Sequence, residues 1–270
     1  MKDDFFIGYL EQAPESYARK SKFFAILAMI IAVLVAAVFV LSQKGFEDSN
    51  FEFGNITNHE GILVETPVPM LKVQNNGKTE SILLVGFGKF GAESALADMK
   101  AKAGKPIFGK SVKIKGSLIY HDNKKILELT ENGDAFVGFS NKNQTASAKK
   151  ISHGNVSLFG EIYDPKCAFG VMKPGYGKPH RSCAIRCISS GIPPVLKMTN
   201  KDGASNYCIL KGENNEVINA EVLDFVADQI RICGRLEQED DWLVLYTNPS
   251  EDILRLQPHF IEGKIPMCNM

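Results

Sequence analysis

Nineteen consecutive residues without a charge, Phe23 to Leu41 (FFAILAMIIAVLVAAVFVL), constrain this 270-residue chain more than any other feature. A helix of ~20 apolar residues crosses a hydrocarbon core of ~30 Å, so the run is long enough to span. The nearest rival is a secretory signal. Its apolar region is usually ~7–15 residues and ends at a small-residue cleavage site, whereas VFVLSQKGF follows here. A core helix of a soluble protein rarely lacks every polar residue over about five turns. The reading is an uncleaved transmembrane helix over 23–42 behind a tail of residues 1–22, with the membrane as partner through Phe23 to Leu41. Lys2, Arg19, Lys20 and Lys22 precede the run, and only Lys44 lies in the twenty residues after it. Basic flanks stay inside, so the tail is expected in the cytoplasm and the rest of the chain on the far side.

The remaining part, about 228 residues, is long enough for one large or two ordinary domains. Lys plus Arg and Asp plus Glu both number 31, and no basic stripe with interleaved aromatics occurs. The electrostatic footprint of a nucleic-acid binder is therefore missing. All six cysteines, Cys167, Cys183, Cys187, Cys208, Cys233 and Cys268, lie beyond the apolar run. Disulfides persist there if that compartment is oxidising. Six cysteines allow fifteen full pairings, between which sequence does not choose.

A weak internal repeat organises this part. Gly54-Asn55-Ile56-Thr57 with Gly61-Ile62 recurs as Gly154-Asn155-Val156-Ser157 with Gly160-Glu161-Ile162. Later in each half comes an alternating strand containing a glycine, Val112 to Leu118 and Ile230 to Leu236. A polar turn follows, Asp122-Asn123 and Glu239-Asp240, then a partner strand, Ile126 to Leu129 and Trp242 to Leu245. These patterns read as hairpins. One short helix is expected before each hairpin, Glu93 to Lys102 and Ala220 to Asp228. Three strands, a helix and two strands is the order of the OB-fold, a small Greek-key barrel; a pair of β-sandwiches is the alternative. The fold class is therefore all-β with short helices, two OB-like barrels in tandem after the transmembrane helix. The first covers 51–140, a polar linker 141–153, the second 154–257, and a C-terminal tail 258–270.

The second half carries an insertion, residues 164–194, DPKCAFGVMKPGYGKPHRSCAIRCISSGIPP, at the first strand-joining loop. A loop of ~30 residues in a compact domain is usually functional or structured. Its Gly- and Pro-rich first part is expected to be irregular. The segment from His180 to Cys187 has no breaker before Gly191 and Pro193-Pro194, which predicts one short helix. At about 100° per residue His180, Cys183 and Cys187 fall within an arc of about 60°, so their donors face one way, and Cys167 can complete a set of four. Three sulfurs and an imidazole suit Zn²⁺, Cu(I) or an iron–sulfur centre. Cys167, His180, Cys183 and Cys187 are thus the candidate metal ligands. Two alternatives stay open. The cysteines form disulfides in a structural interaction subunit, or Cys183 or Cys187 is a nucleophile with His180 as its base. Cys208 and Cys233 read as core thiols or one disulfide. Lys166, Lys173, Lys178, Arg181 and Arg186 make the insertion basic, either a solvated loop or an anion dock. The first half, including the loop Gly86-Phe87-Gly88-Lys89, holds no clustered metal donors and is expected to have a scaffold or docking role.

Asp164-Pro165-Lys166-Cys167, Gly170 to Gly175, His180, Cys183-Ala184, Cys187-Ile188 and Gly191 to Pro194 resemble a motif of uncharacterised bacterial membrane-anchored or exported envelope proteins. The likeness implies a bacterial envelope location and a shared Cys/His site; with the orientation read from the basic flank, the expectation is the bacterial inner membrane with the barrels in the periplasm. The layout, one N-terminal anchor and an OB barrel, also resembles the periplasmic haem chaperone of cytochrome c maturation. Its haem-attaching histidine segment is absent, since His259 has no such neighbours. Together these readings imply a single-pass envelope protein, more a binder than an enzyme. It would hold a metal ion or an iron–sulfur or haem-type cofactor, as an accessory, electron-transfer or assembly subunit of a membrane-protein complex.

Overall fold

The computed structural model describes residues 13–43, 49–75, 77–141, 149–170, 172–200 and 202–256. Lys2, Lys44, most of the linker, His259, Cys268 and the tail 258–270 lie outside the described residues. Helix α1 (Glu15–Ser42) contains the whole apolar run and forms a unit of its own. Pro14 precedes its first turn and Glu15 stands in it, a combination that suits a helix start, where backbone N–H groups lack partners. It is the one helix among the described residues long and apolar enough to cross a membrane.

The rest of the chain is a second compact unit. After a short edge strand β1 (Asn50–Phe51) come β2 (Thr57–Val64), β3 (Met70–Asn75), β4 (Lys78–Val85), α2 (Glu93–Ala103), β5 (Ser111–His121), β6 (Lys124–Leu129) and β7 (Phe136–Phe139). The ring β2–β3–β4–β6–β5 closes back on β2, with only β4 and β6 parallel. The second half repeats it with β8 (Lys150–Tyr163), α3 (Pro165–Phe169), α4 (Arg181–Ser189), β9 (Val195–Thr199), β10 (Ser205–Lys211), β11 (Gln229–Glu239), β12 (Trp242–Tyr246), α5 (Pro249–Asp252) and β13 (Ile253–Arg255). Its ring is β8–β9–β10–β12–β11, again with one parallel pair, β10 and β12. Both are five-stranded barrels with the OB strand order.

The repeated glycines have a steric cause. A Cβ on Gly61 would stand 2.4 Å from the Lys72 carbonyl oxygen, and one on Gly160 2.2 Å from that of Lys197. Each first strand coils so tightly over the second that no side chain fits between them. In the first barrel α2 plugs the interior, burying Ala95, Leu96 and Met99 against Ile107 and Phe136. The helix expected over Ala220 to Asp228 is not formed; one 3₁₀ turn, Leu223–Phe225, stands in its place. The chain leaves that turn to pair with β8, where Val226 bridges Ile162 and the Ala227 N–H donates to the Ile162 carbonyl. A sheet bond replaces the next helical turn. In the second hairpin the turn is Asp240-Asp241, and Glu239 ends β11.

The two barrels share a third core. Val68, Met70, Leu83 and Val85 of the first pack with Tyr163, Tyr207, Ile209 and Trp242 of the second, and Cys167, Phe169 and Cys187 of the insertion belong to the same cluster. Polar contacts close the seam. Trp242 Nε1 donates to the Ser81 carbonyl (2.9 Å), the Ser81 N–H donates to Asp241 Oδ1 (3.0 Å), and Lys72 pairs with Asp240 (2.8 Å).

Candidate metal centre

The insertion is anchored at its first residue. Asp164 caps α3, its Oδ1 accepting the Cys167 N–H at 2.8 Å, and Pro165 fills the first helical position. An Asp before Pro is a helix-start signal, so Pro165–Phe169 is helical, a correction to the expected irregular first part, while residues 172–177 are irregular as expected. The short α3 directs Cys167 inward. The loop then folds back over α3, and Gly175 lets it lie there, since a Cβ would stand 2.4 Å from the Ala168 Cα. After one 3₁₀ turn, Lys178–His180, the chain enters α4, which carries Cys183 and Cys187 one turn apart.

All four expected donors meet. Cys167 Sγ is 3.8 Å from Cys183 Sγ and 3.8 Å from Cys187 Sγ. Ligand atoms of Cys167, His180 and Cys183 lie within 4.8 Å of one another, and so do those of Asp164, Cys167 and Cys187. The four residues are close enough to hold a metal ion. A tetrahedron built on metal–sulfur bonds of ~2.3 Å has sulfur–sulfur edges of ~3.8 Å. A disulfide needs ~2.05 Å, and Cys167, Cys183, Cys187 and Cys208 are all free thiols. Cys233 is disulfide-bonded, so it and Cys208 are not joined to each other.

The residue that sequence reasoning missed stands behind the histidine. Asp164 is fully buried, and its Oδ2 accepts from His180 Nε2 at 3.0 Å. The other ring nitrogen, His180 Nδ1, is buried without a hydrogen-bond partner among the described residues. A carboxylate on one nitrogen fixes the tautomer and leaves the second nitrogen's lone pair unused, which is the arrangement of metal-binding histidines. The sulfurs are unequal. The Cys187 thiol is lowered by the hydrogen bond from Cys167, which outweighs its burial. Cys167 is raised, first by its hydrogen bond to Cys187 and then by burial and by Asp164. Cys183 is raised by burial, partly offset by a hydrogen bond from Lys89.

That lysine belongs to the first barrel, in the loop after β4, and its Nζ stands 3.4 Å from Cys183 Sγ. The same loop is tied to α3. Lys166, buried beside Cys167, donates to the Gly86 carbonyl (2.7 Å) and the Gly88 carbonyl (2.5 Å) and pairs with the buried Glu128 (2.5 Å). The first barrel is therefore more than a remote scaffold; it touches the cluster. The basic residues of the insertion have internal partners. Lys178 and Arg181 hold Asp228, Arg186 donates to Ser190 Oγ, and Lys173 bonds Ser49. Compared with protein-family models, curated proteins and solved structures, the chain finds no match.

Proposed function

We propose that this is a membrane-anchored protein whose paired barrels hold a soft metal, with Cys167, His180, Cys183 and Cys187 as ligands and Asp164 orienting His180. The observation that carries the reading is the imidazole. A buried ring with Asp164 on one nitrogen and no hydrogen bond on the other has an unmet bond, and a ring nitrogen of His180 lies within 4.8 Å of the sulfurs of Cys167 and Cys183. A buried polar atom without a partner costs ~1–3 kcal/mol, which a metal bond would offset. The disulfide at Cys233 fits an oxidising compartment. There, neighbouring thiols persist when a metal occupies them. The basic flank Arg19, Lys20 and Lys22 favours a tail inside and a site outside, and the motif resemblance favours a bacterial envelope, which together make the inner membrane the proposed location.

The rival is thiol catalysis, because Asp164, His180 and a cysteine form an acid–base–nucleophile series. Against it, burial holds Cys183, the accessible thiol, above its ordinary range, and Cys187, the thiol that is lowered, is fully buried out of a substrate's reach. The test is elemental analysis of the full chain purified in detergent without chelator, beside His180→Ala. The wild type should carry one metal per chain and the variant little or none, with Cys183 and Cys187 newly open to alkylation. Full metal retention by the variant removes His180 from the ligand set. A metal-free wild type with Cys183 or Cys187 in a disulfide replaces the proposal with a stapled interaction subunit.

A further inference from the structure

The metal cluster is closed on three sides and open on one. Cys167, Cys187 and His180 are buried, whereas Cys183 is half-buried and shares with Cys167 the wall of a cleft of about 420 Å³. The cleft runs along the seam between the insertion and the first barrel, and its walls include Phe53, Phe87, Lys89 and Met172. Phe53 is 76% exposed, Phe87 50% and Met172 39%, so its rim is apolar and faces solvent. Structural zinc sites are sealed by their ligands on all sides. This one opens onto a cleft that leads to a sulfur.

Met172 narrows the choice of metal. A thioether is neutral and polarisable; it adds no charge to compensate a dication for lost water, yet it is a good donor to the monovalent, weakly hydrated Cu(I). The apolar rim around it suits an ion that arrives already bound to another molecule rather than hydrated. Lys89 supplies a positive charge at 3.4 Å from Cys183 Sγ, against the net negative charge that three thiolates would give a monovalent ion.

Resting on the metal reading above, we infer that the metal is copper(I) carried as cargo, and that it enters and leaves through this cleft with Met172 as the first and last protein donor it meets. The exchange is a ligand substitution. Copper stays Cu(I) throughout, each bond to a carrier donor breaks as one to Met172 or Cys183 forms, and no electron is transferred. Each thiol that binds releases its proton to water and takes one back when the ion departs.

The test is anaerobic exchange between the full chain in detergent and the chromogenic chelator bicinchoninate charged with Cu(I), comparing wild type with Met172→Leu. Met172 is exposed, so the variant should keep the fold and one copper per chain while loading and unloading slow by on the order of tenfold. Equal rates in the two proteins overturn the role of Met172 and the cleft. A chain that holds stoichiometric zinc and refuses Cu(I) overturns the copper assignment and leaves the metal site standing. A chain that holds neither ion overturns both.

Discussion

The two barrels have one strand order and different first loops. In the first barrel the five residues 65–69 join β2 to β3. In the second the thirty-one residues 164–194 join β8 to β9 and carry two helices and every candidate ligand. The barrel scaffold is therefore not what makes the site; the insertion is. Yet the insertion does not stand alone, because Lys166 plugs into the first barrel's loop and Lys89 of that loop reaches back to Cys183. One barrel supplies donors, the other a wall and a charge.

Breaking the seam should have the largest effect. Trp242→Ala removes a fully buried side chain from the shared core and leaves the Ser81 carbonyl without its donor. A loss of ~3–5 kcal/mol is expected in a denaturant titration of the region after α1. A loss below ~1 kcal/mol would mean that the barrels merely touch. Lys166→Met strands Glu128 in the interior. Removing one partner of a buried pair costs ~3–5 kcal/mol, and here the metal should also be held less tightly. Unchanged metal affinity in that variant would show that the first barrel takes no part in the site.

Smaller effects sharpen the contrast within the second barrel. Asn caps a helix as well as Asp does, so Asp164→Asn should preserve α3 while removing the charge behind His180. Metal affinity should fall ~10–100-fold with little change in stability, measured by chelator competition. Cys208 lies fully buried in the second barrel's own core, its thiol pushed up by burial. Cys208→Ala should cost only ~1 kcal/mol and leave the metal content as it was. A lost metal there would place the site in the barrel rather than in the insertion.

Sequence patterns foretold the features governed by local rules. The uncharged run marks α1, strand alternation with interior glycines marks both barrels, and the breaker-free stretch before Gly191 marks α4. The Asp-Pro pair at 164–165 also carried a readable cap signal, hidden by the glycines and prolines that follow it. The helix expected at 220–228 fails because its residues pair with β8, a contact that local propensity does not contain. Lys89 and Cys183 are ninety-four positions apart, and only the packing of one barrel on the other joins them.

A coordination shell of three sulfurs and one nitrogen is read directly by metal-edge X-ray absorption on the full chain. The expected spectrum shows three sulfur neighbours at about 2.3 Å and one nitrogen at about 2.0–2.1 Å, the nitrogen disappearing in any metal left on His180→Ala. A shell of oxygen and nitrogen alone in the wild type, with no sulfur neighbour, would contradict it.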